Sequence, residues 1–307
     1  MELVRGFRHL KTPAAGSAVT IGNFDGLHRG HRELLARVLS DAAASGTTAT
    51  VVLFEPHPRE YFTPTKAPGR VLELRGKLQL LAQCGVQRVL CLPFGQRLAT
   101  MSATDFVDRV LVEGLRTRSL VVGDDFRFGA GRAGDVALLR RAGQAAGFTV
   151  DDVPCVTIAG ERVSSTRVRA ALAVPDLALA EQLLGRPFAI YGRVRHGLEL
   201  GRKLGMPTAN VPLLHPPALR HGVYAVRVRH GDQETPGVAS LGVRPTLNMT
   251  ECVLEDFLFE SPGNLYGTQI ETHFVAFLRP QQKFDSLEVL GQQMQADAAR
   301  AREVLKA

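Results

Sequence analysis

The stretch VTIGNFDGLHRGH, residues 19–31, decides the fold of the first half of the chain. Its β-branched start predicts a strand, Gly22 and Gly26 predict a tight turn, and a helix is expected to begin near Arg29. A strand, a glycine turn and a helix start direct backbone N–H groups and the positive end of the helix dipole toward an anion. The stretch therefore predicts a phosphate-binding turn at the end of a strand.

Two histidines stand at the entrance of this helix. His28 and His31 are three residues apart, so both side chains can point in the same direction, and Gly30 keeps the gap between them free of a side chain. A zinc site is the weaker alternative, because the four cysteines show no C-x-x-C spacing and no H-E-x-x-H pattern follows. A chance pair is less favoured for the whole pattern G-N-F-D-G-x-H-x-G-H. We therefore interpret the turn as a site where imidazoles and amides hold a nucleotide phosphate.

Length and composition indicate an ordinary globular protein of two domains. The chain has 307 residues, 45% of them apolar and 22% charged, which is enough for two separate cores. No apolar run approaches the roughly 20 residues that a membrane span requires, and the start, MELVRGFRHLK, lacks the apolar stretch of a signal peptide. Cysteines without evident pairing favour a reducing compartment. We expect a cytoplasmic protein without a membrane partner.

The net charge of +7 indicates anionic partners. Nucleic acid is one candidate, since arginine clusters such as residues 116–118 and 227–230 could contact phosphates. No zinc-finger spacing, heptad-linked basic region or RNP-type aromatic motif accompanies these clusters, however. We favour phosphorylated small molecules over nucleic acid as partners, and no pattern indicates an oligomeric state.

Strand-like and helix-like segments alternate through the first half of the chain. Beyond the opening stretch, the predicted strands are 48–54, 89–92, 119–122 and 149–153, and the predicted helices are 76–83, 105–112 and 135–146. This alternation predicts an α/β fold, namely a Rossmann-like parallel sheet with helices on both faces. Ligands of such sheets lie at the carboxyl ends of the strands, which is where the turn at 22–31 would lie.

The second half has the pattern of a small antiparallel β-barrel. A helix at 174–187, with Asp176 as its cap and Gly185 at its end, connects the halves, and we place the domains at 1–185 and 186–307. The predicted strands are 189–195, 222–229, 237–242, 253–259 and 268–278. Their apolar-polar alternation favours half-buried antiparallel strands that close into a barrel. A terminal helix is predicted at 286–305.

Several motifs follow one another along nearly the whole chain: NFDGLHRGH at 23–31, EPHP at 55–58, GDDFRFG at 123–129, SSTRVR at 164–169, GRKLGMPTAN at 201–210, LEDFLF at 254–259 and LYG at 265–267. Together they resemble the bacterial bifunctional riboflavin kinase/FAD synthetases, which join an HxGH nucleotidyltransferase module to a riboflavin kinase module. The resemblance implies conversion of riboflavin and ATP to FMN and ADP, and then of FMN and ATP to FAD and pyrophosphate. It implies Mg²⁺ as the cofactor and ATP, riboflavin, FMN and FAD as small-molecule ligands.

The resemblance assigns the turn after the first strand to ATP. His28 and His31 would be the catalytic residues that stabilise the α- and β-phosphates. The other ATP-binding residues of the turn would be Gly22, Asn23, Phe24, Asp25 and Gly26. A second phosphate-binding segment would contribute Ser164, Ser165, Thr166 and Arg167. Taken alone, SSTRVR favours only a helix cap followed by an amphipathic helix.

Two aromatic segments are candidates for flavin contact in the first domain. The loop after the strand at 48–54 offers a rigid apolar set that suits an isoalloxazine ring: Phe54, Pro56, His57, Pro58 and Phe62. GDDFRFG offers Asp125, Phe126 and Phe128, which could face the nucleotide or the flavin. The alternatives are a proline-braced loop without a ligand and an aromatic turn that packs on the core. The G-x-G-x-x-G at 129–134 is not interpreted as a dinucleotide site, because six residues separate it from its strand.

GRKLGMPTAN resembles the riboflavin kinase motif. Its implied ATP-binding residues are Gly201, Lys203, Gly205, Thr208 and Asn210. The resemblance makes Thr208 and Asn210 ligands of the nucleotide-bound Mg²⁺, for which their oxygens are suited, although P-T-A-N alone favours a turn. It makes Glu255 the catalytic base for the ribityl 5′-hydroxyl, where the alternative is an exposed strand carboxylate.

The second half departs from the family pattern at three positions. The usual V-A-N-I-G contains Ser240, the usual Asp before L-Y-G is Asn264, and the usual L-R-x-E ends in Gln281. These changes raise the alternative of a monofunctional FAD synthetase with an impaired kinase domain. A further alternative is a non-catalytic flavin- or RNA-binding regulator, which only the basic charge suggests.

Overall fold

The computed structural model describes residues 1–197, 206–245, 250–260 and 263–306. The chain forms two compact units. The first comprises Met1–Pro68 and Lys77–Ser164, and the second comprises Gly69–Gly76 and Ser165–Ala307. Residues 165–185, which the sequence assigns to the first domain, therefore group with the second compact unit. The boundary of the two functional domains at residue 185 stays a prediction.

The first unit is built on a six-stranded sheet in which all strands are parallel. The strands are β1 (Glu2–Arg5), β2 (Ser17–Ile21), β3 (Thr48–Glu55), β4 (Arg88–Pro93), β5 (Thr117–Gly123) and β6 (Thr149–Val153). Their order across the sheet is β1-β4-β3-β2-β5-β6. A short antiparallel hairpin, β7 (Thr157–Ile158) and β8 (Glu161–Arg162), follows. The parallel sheet confirms the predicted fold class of this half.

The helices of this half are α1 (Arg29–Ser45), α2 (Pro58–Phe62), α3 (Leu74–Gln83), α4 (Gln96–Ala99), α5 (Ala103–Phe106) and α6 (Val136–Ala146), and a π-helical segment, Val107–Gly114, continues α5. Side chains alternate along the buried strand β2. Ala18 belongs to the same buried cluster as Val38 of α1, whereas Val19 belongs to a cluster with Leu111 and Leu139. Neighbouring strand residues point to opposite faces, so both faces of the sheet are covered, as predicted.

The second unit is an antiparallel six-stranded sheet that closes almost into a barrel. Its strands are β9 (Ala189–Arg193), β10 (Thr208–Leu213), β11 (Gly222–His230), β12 (Gln233–Pro245), β13 (Thr250–Leu258) and β14 (Gln269–Arg279), in the order β10-β13-β12-β11-β14-β9. The edge strands meet where the N–H of Arg195 donates to the carbonyl of Asn210, N···O 2.8 Å. This confirms the predicted barrel. Residues 208–210 begin β10, so the turn that P-T-A-N alone favours is wrong, because pairing with β13 outweighs local preference.

In the described part of the second half, the helices beside the strands are α7 (Ser165–Ala173), α8 (Leu177–Leu184) and α9 (Leu287–Leu305). The cap of α8 is Asp176 and the helix ends at Gly185 with φ +71°, as the sequence predicts. Ala298 and Ala301 of α9 share a buried cluster with Val223 and Leu278 of the barrel, so α9 packs on the outside of the strands. None of the helices in the described ranges is long and apolar enough to cross a membrane.

Candidate active sites

The turn after β2 has an unusual backbone conformation. Phe24 and Leu27 have φ of +48° and +44°, in the left-handed region that non-glycine residues rarely adopt, and both side chains are fully buried. Gly26 has φ +91°, which glycine adopts without steric cost. Strained residues of this kind persist where packing over-determines them, and they cluster at functional sites. The buried Phe24 and Leu27 side chains thus fix the backbone that leads into His28.

The two histidines lie face to face at the start of α1. His28 is the N-cap of the helix, and its Nδ1 accepts a hydrogen bond from the backbone N–H of His31, N···N 3.3 Å. The rings stack with their centroids 3.6 Å apart and their planes at 14°. A Cβ atom at Gly30 would lie 3.3 Å from Nδ1 of His28, so the missing side chain leaves room for this ring position. The structure brings the two imidazoles together as the spacing predicts.

His31 lies beside positively charged groups, an environment that attracts an anion. Its pKa is lowered well below 6.5, chiefly because burial penalises the charged form and further because His28 and Lys77 place positive charge nearby. Its Nδ1 is enclosed and has no hydrogen-bond partner within the described part of the chain. Lys77 is itself buried. An entering polyanion would favour the protonated form of this imidazole, because opposite charge raises the pKa of a base.

The histidines line a cavity of about 340 Å³, which we call the histidine cavity. The wall is completed by the loop after β5 and by residues 153–156 and 162–164 after β6. Of the hydroxyl-rich segment that the sequence assigns to phosphate, Ser164 lines this cavity. Ser165, Thr166 and Arg167 form the first turn of α7 in the second unit. Their approach to the histidines stays a prediction.

Arg162 is a cavity residue that sequence reasoning missed. It lies on β8 and lines the histidine cavity together with Asp124 and Asp125. Its Nη1 and Nη2 each lie 2.8 Å from one carboxylate oxygen of Asp125, and Nη2 lies 3.8 Å from Asp124. This pairing lowers the pKa of Asp125. The only sequence signal for Arg162 is its place two residues before Ser164.

A second cavity of the first unit, which we call the aromatic cavity, has a volume of about 770 Å³. It is lined by six phenylalanines: Phe54, Phe62, Phe94, Phe106, Phe126 and Phe128. Phe94 and Phe106 were not among the predicted residues. Phe126 stacks on Phe128, with centroids 5.6 Å apart and planes at 15°. Gly22 and Phe126 line the histidine cavity as well, so the two cavities share part of their wall.

Some of the other residues predicted for flavin contact line the aromatic cavity and others do not. His57 and Pro58 line the aromatic cavity, and Nδ1 of His57 also caps α2 by accepting from the N–H of Arg59, N···N 3.1 Å. Pro56 is exposed and lines neither cavity. Asp125 lines the histidine cavity and not the aromatic cavity.

Asn23 and Asp25, in the turn after β2, both have buried side-chain atoms but differ in whether they line one of the two cavities. Asn23 lines the aromatic cavity, and its Oδ1 is buried without a hydrogen-bond partner among the described residues. Asp25 is buried, and neither it nor Gly26 lines the histidine cavity or the aromatic cavity. From Gly22 to His31, the residues that face the two cavities are therefore Gly22, Asn23, Phe24, His28, Gly30 and His31.

The second unit has its own cavity of about 260 Å³ between the barrel and α9, which we call the barrel cavity. Thr208, Ser240 and Glu255 line it from three neighbouring strands, and Met294 and Asp297 line it from α9. Glu255 is opposite Ser240 on β12 and opposite Asn210 on β10. Glu255 is half-buried, so the alternative of an exposed strand carboxylate is wrong.

Asn210 lies beside Thr208 at the start of β10. Its Nδ2 is 3.2 Å from the carbonyl oxygen and 3.5 Å from Oγ1 of Thr208, and its side chain is buried. A Cβ atom at Gly197 would collide with this amide. Gly201, Lys203 and Gly205, which the sequence assigns to ATP, lie outside the described residues.

The three departures from the family pattern have structural consequences. Ser240 and Gln281 line the same barrel cavity, and the Gln281 amide lies against Gly242, in the space that a side chain there would fill. Asn264 accepts a hydrogen bond from the N–H of Tyr266 at its Oδ1, N···O 3.0 Å. An aspartate would make the same turn contact, so Asn264 preserves the turn.

A buried ion pair fixes α9 beside the barrel cavity. Nε and Nη2 of Arg279, at the end of β14, lie 2.9 and 2.7 Å from the two carboxylate oxygens of Asp297 on α9. Gln293 donates to the same carboxylate, N···O 3.0 Å. Paired guanidinium-carboxylate contacts of this kind set both geometry and energy. Sequence reasoning did not find this pair, because its members are 18 residues apart on elements of different type.

Comparisons with known proteins agree on both halves. The FAD synthetase family model matches residues 10–167, and the riboflavin kinase family model matches residues 184–305. A bifunctional riboflavin kinase/FMN adenylyltransferase from Pseudomonas fluorescens is 50% identical over 98% of this chain and 97% of its own length. The protein of the same description from Escherichia coli K12 is 48% identical over 99% of this chain and 97% of its own length.

A solved structure resembles the whole chain. A crystal structure described as a macrolide-efflux protein from Streptococcus pneumoniae matches with a TM-score of 0.78 and 27% sequence identity. The match covers 98% of this chain and 99% of that one. The fold of the whole chain is therefore found in another protein.

Proposed function

The chain belongs to the family of bifunctional riboflavin kinase/FMN adenylyltransferases, and on that premise we propose which residues perform each reaction. It phosphorylates riboflavin to FMN and adenylylates FMN to FAD, with ATP as the donor in both reactions. We assign FAD synthesis to residues 1–185 and FMN synthesis to residues 186–307. We propose that the enzyme works in the cytoplasm on small molecules alone, with no nucleic-acid or membrane partner.

One observation carries the assignment of FAD synthesis: the stacked His28 and His31 line a cavity that shares Gly22 and Phe126 with an aromatic cavity. The reaction requires a triphosphate and a flavin held side by side. Imidazoles beside a helix N-terminus favour the phosphates, and six phenylalanine rings favour the planar isoalloxazine. We therefore place ATP in the histidine cavity and the flavin ring in the aromatic cavity.

The chemistry needs no enzyme nucleophile. An oxygen of the FMN phosphate attacks the α-phosphorus of ATP, the bond between this phosphorus and the bridging oxygen breaks, and pyrophosphate leaves. Positioning and charge stabilisation supply most of the rate in such transfers. His28 and His31 stabilise the α- and β-phosphates, and His31 becomes charged when the phosphates enter. Arg162 adds a cation to the same cavity.

The remaining predicted contacts belong to this proposal as well. Gly22, Asn23 and Phe24 would bound the nucleotide, and Ser164 with Ser165, Thr166 and Arg167 would close over the phosphates. Phe54, His57, Pro58, Phe62, Phe126 and Phe128 would contact the flavin ring. The shared wall at Gly22 and Phe126 is where the FMN phosphate would meet ATP.

Thr208 and Asn210 suit a hard divalent cation in the kinase site. A hydroxyl and an amide carbonyl are oxygen donors of the kind that Mg²⁺ prefers, and the contact between the two side chains keeps these donors together. We propose that both residues hold the ATP-bound Mg²⁺, which would neutralise phosphate charge when bound. Gly201, Lys203 and Gly205 would bind the phosphates of the same ATP.

We propose Glu255 as the base of the kinase reaction. Glu255 lines the barrel cavity with Thr208, so a riboflavin bound there would bring its ribityl 5′-hydroxyl to both. Glu255 accepts the hydroxyl proton, the oxygen attacks the γ-phosphorus, and the bond to the β–γ bridging oxygen breaks to release ADP. An ordinary carboxylate is ionised at neutral pH and suffices for this role.

Two variants test these assignments in one assay. The protein is incubated with riboflavin and Mg-ATP, and the flavin products are separated by chromatography. We expect His28→Ala to accumulate FMN with at least a 100-fold lower rate of FAD formation, because a phosphate-stabilising group is lost. We expect Glu255→Ala to leave riboflavin unconverted yet to make FAD from added FMN.

Each variant is the other's control, since each retains one activity. FAD formation by His28→Ala at the wild-type rate would refute the histidine assignment. FMN formation by Glu255→Ala at the wild-type rate would refute the base. Absence of both FMN and FAD from the wild-type reaction with riboflavin would instead favour the monofunctional enzyme with an impaired kinase.

A further inference from the structure

The guanidinium of Arg162 is engaged by Asp125 on the wall of the histidine cavity. Both terminal nitrogens contact a carboxylate oxygen of Asp125 at 2.8 Å, and Asp124 is near at 3.8 Å. All three residues line the cavity that holds His28 and His31. The contact joins β8 to the loop after β5, two segments 37 residues apart.

Carboxylate and phosphate compete for the same face of a guanidinium. Both ligands take the paired N–H groups of arginine through two parallel hydrogen bonds. Since both Nη1 and Nη2 are used by Asp125, a phosphate group can bind that face only after the carboxylate has left it. The pair is easily opened, because its side chains are 45% and 64% exposed and exposed ion pairs are weak.

We propose that Asp125 is a phosphate placeholder: it occupies the guanidinium of Arg162 while the histidine cavity is empty, and the triphosphate of ATP displaces it. This inference rests on the proposed function, which puts the phosphates of ATP in this cavity. It makes Asp125 a positioning residue that acts through Arg162 and not a contact of the flavin ring. The negative carboxylate keeps the cation in the cavity wall and lowers its affinity for anions until a highly charged ligand arrives.

The displacement also reaches the flavin side. Asp125 precedes Phe126, which lines both cavities. Breaking the ion pair between Asp125 and Arg162 removes one contact that holds the loop bearing the Phe126 ring. Binding of ATP therefore changes a constraint on the wall of the aromatic cavity, with Asp125 as the link.

Steady-state FAD formation from FMN and Mg-ATP tests the placeholder. We expect Asp125→Asn to lower both the KM for ATP and the inhibition constant of inorganic pyrophosphate by about 2- to 5-fold, the range for loss of a competing exposed ion pair. We expect kcat of Asp125→Asn to change less than 2-fold. We expect Asp125→Glu, which keeps the charge, to retain the wild-type KM for ATP and inhibition constant of pyrophosphate. The difference should shrink toward unity in 0.5 M salt, because exposed charges are then screened.

Asp151→Asn is the matched control. Asp151 pairs with Arg37 at the same 2.8 Å and with similar exposure, but neither residue lines a cavity that we describe. We expect it to leave both constants unchanged. The phosphate of FMN is the other anion of this reaction, and a fall in the KM for FMN without a fall in the KM for ATP would overturn the proposal.

Arg162→Ala distinguishes phosphate binding at Arg162 from the placeholder role of Asp125. We expect it to raise the KM for ATP and the inhibition constant of pyrophosphate at least 10-fold. If it does so while Asp125→Asn leaves both constants unchanged or raises them, the placeholder is overturned and the phosphate site stands. If Arg162→Ala changes neither constant, the phosphates do not use this guanidinium and the placeholder is overturned, while His28→Ala alone decides the histidine assignment.

Discussion

Asp256 is a buried carboxylate to which the proposed reactions assign no role. It lies on β13 with no exposed surface. Its Oδ2 accepts a hydrogen bond from Thr272 at 2.8 Å, and its Oδ1 has no partner among the described residues. Burial, the largest cause, raises the pKa of this carboxyl from 3.8 to about 7. The folded protein therefore holds a proton here between about pH 4 and pH 7, whereas the unfolded chain has lost it.

This raised pKa predicts that the stability of the folded protein depends on pH. Stability should fall as the pH rises from about 4 to about 7, because the unfolded state then binds fewer protons than the folded state. We expect Asp256→Asn to remove this dependence, since the amide stays neutral and can still accept from Thr272. The variant should be more stable at pH 8 by about 2–4 kcal/mol, from roughly 1.4 kcal/mol per pKa unit.

Urea denaturation at pH 5 and pH 8 measures the effect. Asp232→Asn is the control, because Asp232 is exposed in the turn between β11 and β12 and should change stability little at either pH. Equal stability of Asp256→Asn and wild type at pH 8 would show that the buried carboxylate carries no such cost.

At the scale of the element, the packing of the first turn of α1 at Gly30 fixes the position of the His28 ring. A methyl group there would lie 3.3 Å from Nδ1 and 3.4 Å from Cε1 of His28, which is tight enough to displace the ring from His31. We expect Gly30→Ala to reduce FAD formation about 10- to 100-fold, as small displacements of catalytic groups do. Stability should be unchanged or slightly higher, because alanine favours helix by up to about 1 kcal/mol.

Both outcomes can be read on one sample. Thermal unfolding follows stability, FAD formation from FMN follows the displaced ring, and riboflavin phosphorylation is the internal control. A Gly30→Ala protein that makes FAD at the wild-type rate would show that the stacked arrangement is not needed for the reaction.

The terminal helix α9 depends on one buried ion pair. The Arg279 and Asp297 side chains are 15% and 7% exposed, and removing one member of a buried pair typically costs about 3–5 kcal/mol. We expect Asp297→Asn to destabilise the second unit by about 3 kcal/mol and to weaken riboflavin phosphorylation, because α9 forms one wall of the barrel cavity. Chemical denaturation and the KM for riboflavin measure these effects.

An exposed pair supplies the contrast. Arg229 and Glu234 lie 3.3 Å apart on β11 and β12, with exposures of 51% and 38%. Glu234→Gln should cost less than about 1 kcal/mol and leave the kinase unchanged. Similar losses of stability in Asp297→Asn and Glu234→Gln would show that the buried pair stabilises the protein no more than the exposed pair does.

For the whole molecule, the sequence predicted the fold from local patterns. Residues 48–54 and 119–122 were predicted as strands because apolar and β-branched runs are typical of a buried parallel sheet, and the structure extends each by one to three residues. β10 was missed because P-T-A-N resembles a turn until β13 pairs with it. β1 was missed because a strand of four residues has too few side chains to show a period.

The sites were predictable only where neighbouring residues form them. The spacing of His28 and His31 fixes their common direction, since one helical turn joins them. Arg162, Phe94 and Phe106 were missed because distant segments bring them to the cavities, and no local period marks such contacts. The resemblance gave the roles of Thr208, Asn210 and Glu255; the structure adds that Thr208 and Glu255 line one cavity.

The place of β1 in the sheet has a consequence for how this chain is made. Glu2 pairs with Arg88, 86 residues later in the sequence. On the ribosome, β1 must therefore wait for β4 to be synthesised, because among the described strands β1 pairs with β4 alone, at the edge of the sheet. The strands β2 and β3 can meet much earlier. β1 is thus captured only after residues 88–93 have been made, and a fusion tag placed before it would compete with that long-range pairing.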